Sequence, residues 1–164
     1  MTAEIASFAQ AAYDYWKGNP TKTRAEFAQD MIKKLNAKLL YPVTTVITSS
    51  GDAGVFSRSV ATFEINVNTA AFGSTTSGNI GALTQNEVSA IVDTLYHEAR
   101  HAEQILRIAQ MQSGQGKTAT QISTVLGIPP AAAAEAAKKP LDSTKPENAT
   151  LIAEAEAWEA FMGG

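Results

Sequence analysis

The sequence of 164 residues contains no cysteine. Disulfides, thiolate metal ligands and a cysteine nucleophile are therefore excluded. Histidine is almost as scarce, with two in the whole chain. Net charge is -3 with histidine neutral. Binding to nucleic acid or to an anionic membrane usually needs a basic patch, and neither is expected here. No stretch is long and apolar enough to span a bilayer. Met1 to Trp16 carries acids and lacks a basic region followed by an apolar run, so no signal peptide is expected. The length suits one domain with a real core. Within 1–164 we expect a helical part at 1–42, strands and a loop at 43–83, and helices at 84–164.

Ile5, Phe8, Ala9, Ala12 and Trp16 recur at helical spacing, predicting a helix over 3–17 that ends at Gly18-Asn19-Pro20. Thr23 with Glu26 spells a capping box for a second helix, about 24–40, with Phe27, Met31, Leu35 and Leu39 as its stripe and Pro42 as its stop. Both helices are expected to supply core. Val43 to Thr48 is rich in β-branched residues and predicts a strand. After a turn at Ser49 to Gly54, residues 55–69 alternate. Ala61, Phe63, Ile65 and Val67 share one face, which predicts a strand antiparallel to the first. The Gly/Ser/Thr-rich segment Ala70–Leu83 reads either as a flap or as a plain surface connection.

Thr84 and Glu87 make a second capping box, opening a long helix that Ser113-Gly114 closes. Inside it stands His97-Glu98-Ala99-Arg100-His101. Residues four apart on a helix lie one turn apart on one face, so both imidazoles can point at one metal ion with Glu98 beside it. Zinc suits such a pair, because it accepts neutral imidazole and imposes little geometry of its own. Helical projection puts Val88, Ile91, Val92, Leu95, Ala99, Ala102 and Leu106 on a core stripe. Tyr96, Arg100, Glu103 and Arg107 fall on a polar face. Ala90, His97, His101 and Ile108 form a third strip, which predicts a helix covered on two sides.

A short helix at Thr118–Leu126 follows, then an alanine-rich one from Pro129-Pro130 to about Lys138, expected to be a packing spacer. Thr144, Pro146 and Glu147 are expected to start the last helix, which runs to about Met162.

A catalytic zinc normally has three protein ligands and an open position for water. With both histidines used and no cysteine, the third must be a carboxylate or something weaker. An extension supplying a glycine and a third histidine after the motif is absent, because Gln104 and Arg107 stand there. In the last helix, projection puts Glu154 inside the stripe of Leu151, Ala155, Trp158, Phe161 and Met162, with Glu156 and Glu159 on the other side. A carboxylate on a buried face is costly unless paired or metal-bound. Glu154 is therefore the expected third ligand and Glu156 the runner-up. A salt bridge to Arg58 or Arg100 is the competing explanation for Glu154.

His97-Glu98-x-x-His101, followed by a separate helix with Glu154-Ala-Glu156-Ala-Trp158, resembles the gluzincin branch of zinc metallopeptidases. The resemblance implies a minimal zincin: α+β, mostly helical, with a small antiparallel sheet beside the motif helix and a C-terminal ligand helix. It implies Zn2+ as cofactor and Glu154 as a ligand. Trp158 stands where many relatives carry an aspartate that supports a motif histidine, so that role must be filled elsewhere or left out. Tyr96 to Gln104 is, more loosely, similar to small zincin domains of bacterial toxins and secretion effectors. That likeness implies a chain that stays cytoplasmic or is exported by a dedicated secretion system, part of a larger effector or paired with an immunity partner.

The implied activity is peptide-bond hydrolysis of a peptide or protein substrate, with Glu98 as general base. The strand at about 61–68 is expected to line the cleft and pair with extended substrate. A group to stabilise the oxyanion is missing. Tyr96 projects away from the histidines, and Tyr13, Tyr15, Tyr41 and Arg58 are left unranked. Two other readings stand beside this one: a non-enzymatic zincin-like module of a larger toxin or secretion assembly, and an amidase acting on cell-wall peptides.

Overall fold

The computed structural model describes residues 4–73 and 78–162. The middle of the Ala70–Leu83 segment, and the first residue of the helix expected over 3–17, lie outside the described residues. In chain order the elements are α1 (Ile5–Gly18), α2 (Arg24–Asn36), β1 (Thr44–Thr48), β2 (Gly54–Arg58), β3 (Phe63–Asn68), α3 (Gln85–Gly114), α4 (Ala119–Leu126), α5 (Pro130–Ala137) and α6 (Ala149–Phe161). The fold is α+β and mostly helical, with one small three-stranded sheet. Among the described residues no helix is long and apolar enough to cross a membrane.

By contact the chain divides into two compact units, Met1–Ser57 with Glu64–Arg100 and Arg58–Phe63 with His101–Gly164. In the first, α1 and α2 bury Ala12, Phe27, Met31 and Ile32, and Ile91 and Leu95 of α3 are buried as well. The box at Thr23 and Glu26 forms: the Glu26 amide donates to Thr23 Oγ1 at 3.1 Å, and the Thr23 amide to Glu26 Oε1 at 3.2 Å. Such a cap contributes about 1 kcal/mol to helix stability. The helix stops at Asn36, before Pro42 is reached. The Asn36 side chain explains this: it accepts from the Val43 amide at 2.8 Å and donates to the Val43 carbonyl at 3.0 Å, tying the helix end to the start of β1.

The sheet departs from expectation. The alternating run at 55–69 is two strands. At Ser59–Thr62 the chain reverses, with Ser59 Oγ accepting from the amides of Ala61 and Thr62. Strand order is β1-β3-β2, and β3 pairs with β1 in parallel, Thr44 opposite Glu64 and Thr48 opposite Asn68. The antiparallel expectation for these two is thus corrected: β2 is the strand that turns back, and β3 takes the middle place. Phe63, Ile65 and Val67 are buried there, as their alternation requires, whereas Ala61 lies in the turn and is exposed.

Between α1 and α2 the Tyr15 hydroxyl donates to Asp30. Burial, and then this bond to a carboxylate, pushes the Tyr15 pKa from 10.0 up to about 12. A hydroxyl whose folded pKa lies above its unfolded value stabilises the fold fully below pH 10, and that contribution is lost as pH rises toward 12. Urea melts across this range should show falling stability for the wild type and a flatter profile for Tyr15→Phe. Equal slopes for both proteins would remove Tyr15 from the alkaline transition.

In the second unit the later turns of α3 bury Ile105, Ile108 and Met111, α4 buries Ile122 and Leu126, and α5 buries Ala132, Ala133 and Ala136. The alanine-rich helix packs closely against α4 through these small side chains. Gly127, at φ +61°, supplies the left-handed cap that ends α4. Thr144 does not cap α6. Its hydroxyl bonds Asp142 Oδ1 at 2.7 Å, and the helix starts instead from a 3-10 turn at Pro146–Asn148.

Candidate metal centre

α3 is a single helix of 30 residues. Its capping box forms as the sequence predicts, the Glu87 amide donating to Thr84 Oγ1 at 3.1 Å and the Thr84 amide to Glu87 Oε1 at 2.8 Å. Every residue of the expected core stripe, from Val88 to Leu106, is buried. The polar face is only partly polar in its surroundings. Tyr96 is buried against Phe8, with ring centroids 6.0 Å apart, and Glu103 is buried too. The third strip changes character along its length. Ala90 and His97 are exposed, His101 is half-buried and Ile108 is buried, so cover on that side comes only toward the C-terminus.

On this strip the side chains of His97, Glu98 and His101 converge, one ligand atom of each lying within 4.8 Å of the others. The donor types are ones that zinc accepts: two imidazoles one turn apart, with a carboxylate beside them. His101 Nδ1 lies 3.2 Å from Gln104 Oε1.

Glu98 is held by the sheet. Its Oε2 accepts from the Phe56 amide at 2.7 Å, a short charge-assisted bond. The hairpin register explains why that amide is available. Ser59 and Thr62 exchange backbone bonds, and the Asn68 amide donates to the Ala53 carbonyl. Pairing residues alternate along an antiparallel ladder, so 53, 55, 57 and 59 face β3 while Gly54 and Phe56 turn their backbone groups to the free edge. Glu98 satisfies that edge at Phe56. Gly54 permits the approach: a Cβ there would stand 2.7 Å from Thr94 Cγ2 and 3.5 Å from Glu98 Cγ. Ala53, Gly54, Asp93, Thr94, His97 and Glu98 line an open hollow of about 380 Å³. A second hollow, also about 380 Å³, shares Ala53 and Thr94 and extends along α3 past Ala90 to Glu87.

The expected cleft strand needs correction. β3 has neighbours on both sides, so it has no free edge for a substrate. The strand beside Glu98 is β2, which the alternation over 55–69 hides by running on into β3.

α6 also differs from its projection. Glu154 and Glu156 are both exposed, and the buried residue is Ala155. The half-buried carboxylate is Glu159, whose Oε2 accepts from Gln112 Nε2 at 2.8 Å. Burial therefore does not favour Glu154 over Glu156. Neither residue belongs to the converging group on α3. Of the groups left unranked as oxyanion donors, Tyr15 serves Asp30, and Arg58 Nη1 donates to the Leu126 carbonyl at 2.6 Å. Tyr13 stacks edge-on against Trp16. No family model, curated protein or solved structure matches this chain.

Proposed function

We propose that the chain is a zinc-dependent metallopeptidase of zincin-like fold. The observation that carries this reading is the convergence of His97, Glu98 and His101 on one strip of α3, with His97 and Glu98 lining an open hollow. His97 and His101 hold the metal. Glu154 on α6 is kept as third ligand and Glu156 as its alternative, now on the likeness of the Glu-x-Glu-Ala pattern alone. When bound there, zinc would polarise the substrate carbonyl and lower the pKa of its water to about 7. Glu98 is the general base: with Oε2 anchored by the Phe56 amide, Oε1 would take the proton of the water as its oxygen bonds the carbonyl carbon, and return it to the amine nitrogen as the C–N bond breaks. Anchoring one oxygen fixes the other in space, which is what proton transfer over hydrogen-bond distance needs.

The open hollow beside His97 and Glu98, which runs on along α3 past Ala90, is the natural place for an extended peptide. Hydrolysis of a denatured-protein or peptide-library substrate, stopped by a chelator and restored by zinc, tests the reading. Turnover that persists after complete metal removal would contradict it. Zinc content of Glu154→Ala beside Glu156→Ala tests the third ligand, and retention of zinc by the first would reassign it.

A second reading, a zincin-like binding module without catalysis, is favoured by one observation. Glu98 already has a structural partner in Phe56, and the same bond serves a purely architectural role equally well. In that case zinc binds and no peptide is cut.

A further inference from the structure

We propose that Gln104 is a positioning residue of this site, fixing the tautomer of His101 so that Nε2 is the atom offered to the metal. The inference rests on the zinc reading above. His101 Nδ1 and Gln104 Oε1 are 3.2 Å apart, on neighbouring turns of α3, and both residues are half-buried. A neutral imidazole carries one N–H and one lone pair, and an amide oxygen can only accept. With Oε1 turned to the ring, this contact is a hydrogen bond only for the Nδ1–H tautomer, which leaves the lone pair on Nε2, the form that ligates. In water a neutral imidazole prefers the opposite tautomer, with the proton on Nε2. Gln104 reverses that preference before any ion arrives.

The sequence gives Gln104 a second meaning. The residue stands where a longer histidine motif would continue, and by the gluzincin likeness alone Trp158 stands where many relatives carry an aspartate that supports a motif histidine. Support for a motif histidine is supplied here from the motif helix itself, three residues on. Partners of this kind orient the ring and raise ligand basicity, and their loss typically costs ten- to a hundredfold in metal affinity, on the order of that seen for outer-shell residues generally.

The test needs no enzymatic activity. The chain has two histidines, so a His97→Ala control assigns the ring signals of His101 unambiguously. Long-range proton–nitrogen spectra of the metal-free protein at a pH where the ring is neutral should show Nδ1–H at His101. Gln104→Leu should shift the ring toward Nε2–H and weaken zinc binding by about ten- to a hundredfold. Gln104→Glu keeps an acceptor and should keep the Nδ1–H tautomer with affinity at least that of the wild type. An Nε2–H tautomer in the wild type, or a tautomer and zinc affinity unchanged in Gln104→Leu, would overturn the assignment. If the wild type takes up no zinc, the metal reading fails, and the ring spectra still decide what Gln104 does.

Discussion

Glu98→Gln should bind zinc as the wild type does and lose hydrolysis by about two to four orders of magnitude, the usual range for a positioned acid–base group. The substitution is chosen for what it preserves. Glutamine has the same length, and its amide oxygen can still accept from the Phe56 amide, so β2 keeps its place on α3. What it cannot do is take a proton at neutral pH. Glu98→Ala is a poorer test. It leaves the Phe56 amide without this partner at a part-buried edge, at a cost of about 1–3 kcal/mol, and mixes a folding defect with a catalytic one. Initial rates with a quenched peptide substrate, measured beside zinc content, separate the proposed role of Glu98 as base from its bond to Phe56. Full activity in Glu98→Gln would remove it as the base while leaving its role as an edge cap intact.

His97→Ala and His101→Ala should each lose zinc while keeping the fold. Taking each ligand's share as roughly a quarter of the binding energy of a four-ligand zinc site, one imidazole is worth about a hundred- to a thousandfold in affinity. His97 is exposed and alanine is a better helix former, so its substitution leaves α3 stable. His101 is half-buried and bonded to Gln104, so its variant is expected to be slightly less stable. Zinc titration with a chromogenic competitor, with helicity followed by circular dichroism, reads both quantities. Unaltered affinity in both variants would mean that the imidazoles are not the ligands.

How far the sequence announced this structure depends on the range of the interaction. Local signals were legible. The boxes at Thr23 and Thr84 are hydrogen bonds spanning three residues, and both form. The long apolar stripe of α3 has many members, so single errors do not move it, and the pairing of His97 with His101 follows from helix pitch alone. The signal for the β2–β3 turn was present but overridden. Ser59 can fold back on its own backbone, yet Val60-Ala61 continues the alternation, so turn chemistry and periodicity point in opposite directions there.

Tertiary effects were out of reach. Tyr96 and Arg100 look alike on a helical wheel, yet Tyr96 is buried, with Phe8 of α1 packed on its ring. The bond from Phe56 to Glu98 joins residues 42 apart in sequence, with no pattern connecting them. In α6, alanines at 153, 155, 157 and 160 blur the apolar stripe. A small angular error therefore exchanges Glu154 for Glu159 as the inward carboxylate. Helical phase is poorly determined where side chains are small, and it was the phase of α6 on which the choice of Glu154 depended.

The most direct measurement is elemental analysis of the wild-type protein after zinc loading and exhaustive dialysis, run beside the His97→Ala/His101→Ala double variant. Stoichiometric zinc in the wild type and none above background in the double variant is the predicted result. A wild type that retains no zinc, or a double variant that retains as much, would contradict a metal centre on α3.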